Sequence, residues 1–271
     1  MASKYARPEV SLKLAIPLST ILVIYAGLAF TGVPRFRDKA GQGVLTNFRQ
    51  PATNINFINH RLQTAPLWLY QGLHAAPAIL WCISIPLQHL AHLRRERLDI
   101  HRTNGYLALS LSLIQILSGV AFLLWDLAYS HENIYHIHVL RFRGLWIPPF
   151  AWPTFKAGLW LYAPVFFYTL LRTVQTARAH EREQHRNWAV LHSICGYAIA
   201  INRVNLSFIL LFGDLLSLFP RVIRHNWLGL PLRHSDIVTV EISAFAAAAA
   251  YAYVVAGVWA IIEMRKGKPI R

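Results

Sequence analysis

The chain reads as an all-α integral membrane helix bundle: six transmembrane helices, four of them forming a core of two hairpins. Three observations predict this. Of 271 residues, 55% are hydrophobic and only 14% are charged, where a soluble domain carries about 25% charged residues. Mean hydropathy is +0.35. Six apolar segments approach or exceed the roughly 20 residues that cross a bilayer as a helix. The basic residues fall in short clusters between those segments.

The first segment, 12–32, follows Lys4, Arg7 and Lys13. That resembles a signal peptide, but its apolar run of about 18 residues exceeds a usual signal core and no A-x-A site follows. An uncleaved first helix is expected. The next segments are 66–93, 104–130, 155–177, 188–218 and 237–264. None shows the alternating period of a membrane strand. The last two exceed a minimal span and are expected to tilt or project. Pro17, Pro77, Pro86 and Pro164 interrupt apolar helices. Each removes a backbone donor and permits a kink. Pro77 stands one turn from His74, where a kink opens space beside the imidazole.

Topology follows from the basic residues. With six spans, the side holding both termini and the second and fourth loops carries 15 Lys and Arg, against 11 on the other side. The larger set lies tight against helix ends, so both termini are predicted cytoplasmic. The net charge of +15 then faces lipid headgroups, and the bilayer is the expected partner. No nucleic-acid motif is present, and nucleic-acid binding is not expected. The non-cytoplasmic loops are longer. The first is rich in Asn and Gln, and the second carries Tyr129, Tyr135, Trp146, Phe150 and Trp152, suited to the membrane interface or to a lid. Cys82 and Cys195 both lie in apolar runs and report nothing on redox compartment.

A short internal repeat links Leu73-His74-Ala75-Ala76-Pro77 with Leu161-Tyr162-Ala163-Pro164. Each is followed by a basic turn, His101-Arg102 and His185-Arg186, that opens the next helix. Two related hairpins would form the core, with the first and last segments peripheral. At these turns the sequence resembles a polytopic membrane family, bacterial and fungal, catalogued as domain of unknown function 2306. The matching positions are His74; His101, Arg102 and Gly105; and His185, Arg186, Trp188 and Ser193, with Arg203 beyond them. Tyr106 and His192 stand where the family commonly has basic residues. The resemblance covers about residues 66–215. It implies a multi-pass architecture and no particular chemistry.

Ionisable groups within a span are costly unless they face a cavity or a partner. Arg203 lies about 15 residues beyond Trp188, roughly 22 Å along its helix. His74 lies roughly 12 Å below the outer surface on an opposed helix. Glu241 begins the last span near the same depth. His74, Arg203 and Glu241 are therefore the candidate catalytic or binding residues. They suggest an outward-opening polar pocket for a small lipophilic ligand, with His74 transferring a proton. An Arg–Glu packing pair is the plain alternative.

His192, Arg203 and Asp214 share a face at steps of eleven, and His74, Trp81, Gln88 and His92 share another, as the walls of a channel would. At the cytoplasmic end His192 with His89 or His92 could hold one b-type haem. His101, Arg102, His185 and Arg186 suit an anion or a lipid headgroup. His136 and His138 alone are too few for a metal site, and none is predicted. There is no phosphate-binding loop, dinucleotide fingerprint or nucleophile elbow. Enzyme, haem redox protein, proton-linked or small-molecule transporter and structural protein all stay open, as do the membrane and the oligomeric state.

Overall fold

The computed structural model describes residues 10–31, 65–127, 135–138, 141–142, 145–146, 150–228 and 234–265. Six long helices run through them, each overlapping one of the apolar segments. The first is α1, Val10–Thr31. The second opens as a π-helical stretch, Trp68–Ala75, and continues as α2, Ala76–His89. After a one-turn helix α3, Ala91–Glu96, come α4, Leu98–Leu124, and α5, Phe155–Arg178. Then follow α6, Arg182–Ser217, and α7, His234–Arg265. Between α4 and α5, β1 (Tyr135–His138) pairs antiparallel with β4 (Phe150–Pro153), and β2 (Arg141–Phe142) with β3 (Leu145–Trp146).

Among the described residues three helical stretches are long and apolar enough to cross a membrane: Leu98–Leu124, Arg182–Gly213 and Ser243–Arg265. Only 33–41% of their apolar windows is buried inside the protein. The remainder faces outward, with exposed Leu107, Leu117, Phe208, Val254 and Ile261 among it. A soluble protein does not leave that much contiguous apolar surface in water. The chain is a predominantly helical integral membrane protein.

The helix ends have local causes. Leu90 takes an extended backbone conformation and stops α2 at His89, so His92 and Leu93 belong to α3, not to a continuous helix over the predicted 66–93. Thr154 caps α5 by accepting the Ala157 N–H through its side chain at 3.3 Å. The two His-Arg pairs do stand in the opening turns of α4 and α6.

Neighbour contacts run α1–α2–α4–α5–α6 and return from α6 to α1. The first helix, expected at the periphery, instead closes this ring. Ala15 of α1 is fully buried in the same apolar cluster as Trp81, Ile85, Leu111 and Tyr197. Ser19 and Tyr197 share a hydroxyl hydrogen bond of 2.8 Å, and Tyr25 donates to Ser207 at 2.5 Å. The last helix, α7, lies outside the ring against α5 and α6. Its buried face carries Ala246, Ala248, Ala249 and Ala252. Small side chains let two membrane helices approach closely and gain dispersion contacts that lipid would not supply.

Candidate functional site

Pro77 shapes the outer half of the second span. It has no N–H to offer Leu73, four residues back, and its ring crowds that carbonyl. The turn before it widens. Ala76 donates to Gln71 O, five residues back, and the chain is π-helical from Trp68 to Ala75. Such bulges recur at functional sites because they re-aim a side chain. Here the side chain is His74. Its Nδ1 lies 2.9 Å from Ser118 Oγ on α4. Ser118 donates its own proton to Gln115 O at 3.1 Å. Nδ1 is therefore the protonated nitrogen that donates to Ser118. In the neutral ring Nε2 carries the lone pair. The edge of Phe122 packs against the imidazole, with centroids 5.0 Å apart.

His74 borders a cavity of about 150 Å³ between the helices of the ring. Across it α6 contributes Asn202 and Arg203, and α4 contributes Gln115 and Gly119. The other walls include Trp81, Phe155, Tyr162 and Phe166. A cavity of that order accepts a benzene-sized ring. The two positions matched by the internal repeat, His74 and Tyr162, both line it. The Tyr162 hydroxyl donates to Cys195 O, fixing the ring between Phe166 and Tyr253.

Arg203 and His74 thus border one cavity. The Arg203 guanidinium sits 5.7 Å from the Phe245 ring centroid on α7. Glu241 lies on α7, but its side chain is outside the described residues. Asn202, beside Arg203 on α6, also borders this cavity. It is 3% exposed, and its Nδ2 has no hydrogen-bond partner among the described residues. A buried amide donor without a partner costs about 1–3 kcal/mol. No sequence pattern marks it beyond its place beside Arg203.

The histidines considered as haem ligands have other work. His192 is fully buried and stacks on Phe166, 4.6 Å between centroids. Its Nε2 lies 2.8 Å from Ser112 Oγ, and its Nδ1 3.1 Å from Thr169 Oγ1. Ser112 donates to Ala108 O and accepts from Trp81 Nε1 at 2.7 Å. His192 Nε2–H must then donate to Ser112, while on the other side of the ring Thr169 Oγ1, which donates to Phe166 O at 2.8 Å, stands beside Nδ1. Trp81, Ser112, His192 and Thr169 form a polar brace across α2, α4, α6 and α5. Both ring nitrogens are engaged, so this donor set does not fit an axial haem ligand. His89 Nε2 donates to Ser193 at 3.1 Å, and Ser193 donates to Ala189 O. His92 is exposed and pairs with Glu96 at 3.1 Å, one turn away. Of the two stripes, His74, Trp81 and Arg203 line the cavity, whereas His92 is exposed and Gln88 Nε2 donates to His101 O at 2.9 Å. The Asp214 side chain lies outside the described residues, as do those of His136 and His138.

The basic residues of the cytoplasmic end do converge. Arg94, His101 and Arg186 are the charged neighbours of His89. Arg94, His185 and Arg102 are those of His101. Burial, and then Arg95 beside it, lower the pKa of Arg94. Arg102 itself is exposed, whereas Arg94, His101, His185 and Arg186 are half-buried. Among the described residues no three His, Cys, Asp or Glu side chains converge as metal ligands would.

Comparison with protein-family models, with curated proteins and with solved structures finds no match. The site therefore stands on its own geometry.

Proposed function

We propose that all six long helices cross the bilayer, with both termini cytoplasmic, and that the ring of helices holds a small lipophilic molecule bearing an oxygen acceptor. The observation that carries this reading is the buried, unpartnered Asn202 amide on the wall of a cavity that also holds Arg203 and His74. An acceptor oxygen on the ligand satisfies the amide and attracts the guanidinium. The aromatic walls cover an apolar ring or chain. Within this reading His74 Nε2 takes or returns a proton at the ligand oxygen, with Ser118 fixing the imidazole. The His-Arg turns and His74 support membership of the domain of unknown function 2306 family.

The test is small-molecule mass spectrometry on protein purified in mild detergent. A retained ring-bearing or chain-bearing oxygen compound is expected in stoichiometric amount. Gly119→Val should displace it, because an added Cβ at Gly119 meets no atom within 4 Å and projects from the cavity wall without disturbing a packed contact. Folded protein that never carries such a compound, in wild type or when supplied with candidate phenols and quinones, refutes the reading.

A further inference from the structure

Arg203 and Asn202 are neighbours on α6, and both border the cavity. Arg203 is half-buried. Among the described residues its guanidinium makes no hydrogen bond and no ion pair. Its contact is with the Phe245 ring, 5.7 Å from the centroid. A ring face attracts a cation but accepts none of its five N–H protons in the way a carboxylate does. Beside it the Asn202 amide is 3% exposed, and Nδ2 has no partner among the described residues. Two adjacent side chains thus hold donors that lack an acceptor.

The charge is not balanced from the cavity wall. The described residues that line it include no Asp and no Glu. Its other polar side chains are engaged elsewhere. Gln115 Nε2 donates to Leu111 O at 3.4 Å, and the Tyr162 hydroxyl donates to Cys195 O. A cation within a membrane span is costly unless a partner or water meets it. The remaining walls, among them Ile116, Phe155, Leu159 and Phe166, are apolar.

Building on the oxygen-bearing cavity ligand proposed above, we propose that this ligand is a compact monocarboxylate, its carboxylate held by Arg203 and Asn202 and its apolar body by the other walls. One guanidinium balances one charge. A carboxylic acid, with a pKa of about 4, is a monoanion at neutral pH. Its two oxygens suit the guanidinium fork and the amide together. A phosphate monoester would bring up to two charges, and a simple phenol, with a pKa of about 10, brings none. A bare halide would leave the apolar walls uncovered. A volume of about 150 Å³ limits the body to about one ring.

Benzoate and benzamide test this. They have nearly the same shape and both offer an oxygen to Asn202, but only benzoate brings a charge to Arg203. Each is titrated by calorimetry into the full chain in phosphatidylcholine nanodiscs at neutral pH. Benzoate is expected to bind at least about tenfold more tightly, the worth of one charge-assisted pair. Arg203→Gln should lower benzoate to the level of benzamide and leave benzamide unchanged. Arg221→Gln, an exposed charge beyond the end of α6, should change neither. Gly119→Val should abolish both. If Arg203→Gln does not fold, the two compounds on the wild type decide. Equal binding of benzamide and benzoate overturns the carboxylate and leaves the cavity reading standing. Binding of neither compound to folded protein overturns both. The carboxylate also falls if benzoate binding survives Gly119→Val, if equimolar chloride displaces benzoate, or if Arg221→Gln weakens it as much as Arg203→Gln. The last result would mean diffuse attraction to a basic protein.

Discussion

Trp81 and Gly196 are locked together across the ring of helices. A Cβ added to the glycine would fall 2.3 Å from the indole ring. Trp81 is 2% exposed and its Nε1–H is committed to Ser112, so it cannot swing away cheaply. Gly196→Ala is expected to destabilise the protein by about 1–3 kcal/mol through overpacking. Gly213→Ala, where an added Cβ meets nothing within 4 Å, is the control within the same helix and should be neutral or stabilising by up to about 1 kcal/mol. Thermal unfolding in detergent compares the two.

The polar brace makes His192 a structural residue. Removing its side chain leaves a void beside Phe166 and strips partners from Ser112 and Thr169. His192→Ala should cost roughly 2–4 kcal/mol, combining a cavity with lost hydrogen bonds. The same substitution should leave the visible absorption spectrum of the purified protein unchanged. Loss of a Soret band in the variant would restore the haem reading and overturn the brace.

Asn202 should trade stability against binding. Asn202→Leu removes the buried unpartnered amide and is expected to raise stability by about 1 kcal/mol. It should also abolish retention of the cavity ligand. If Asn202→Leu destabilises the protein, the amide has a structural partner and the site loses its main donor.

Pro77→Ala returns a backbone donor to Leu73 and lets the π turn relax towards an α-helix. The imidazole of His74 then leaves Ser118. Ligand affinity should fall about tenfold or more while the protein stays folded. Equal affinity would show that the widened turn does not aim His74.

Fusion reporters check the orientation. A cytoplasm-active reporter at either terminus should be active, and a reporter requiring the opposite compartment should be silent there. The reverse pattern at the C-terminus removes the six-span topology.

Much of the helical layout was legible, because the length of an apolar run is a direct physical requirement of the bilayer. All six long helices fall where such runs lie. From the sequence, a rise of about 1.5 Å per residue puts His74, Arg203 and Glu241 near one height on three helices. The cavity common to His74 and Arg203 needed the structure. The brace was hidden because Ser112, Thr169 and Trp81 look like ordinary membrane-helix residues until their partners are known. His192 looked like a ligand for the same reason. The place of α1 in the ring was missed because the repeat speaks only of the two hairpins it relates. The role of Asn202 depends on what does not touch it, and no spacing rule records that.

The stretch from Trp68 to Ala75 winds with more residues per turn than the helix it joins. Every side chain upstream is therefore rotated relative to a straight continuation of α2. Deleting one residue within this stretch would rewind it into a regular helix and turn its loop-side end by about 100° against the cytoplasmic half. The angular phase between the two halves of this span is thus encoded by a surplus of length, which substitutions at the surrounding positions would leave intact.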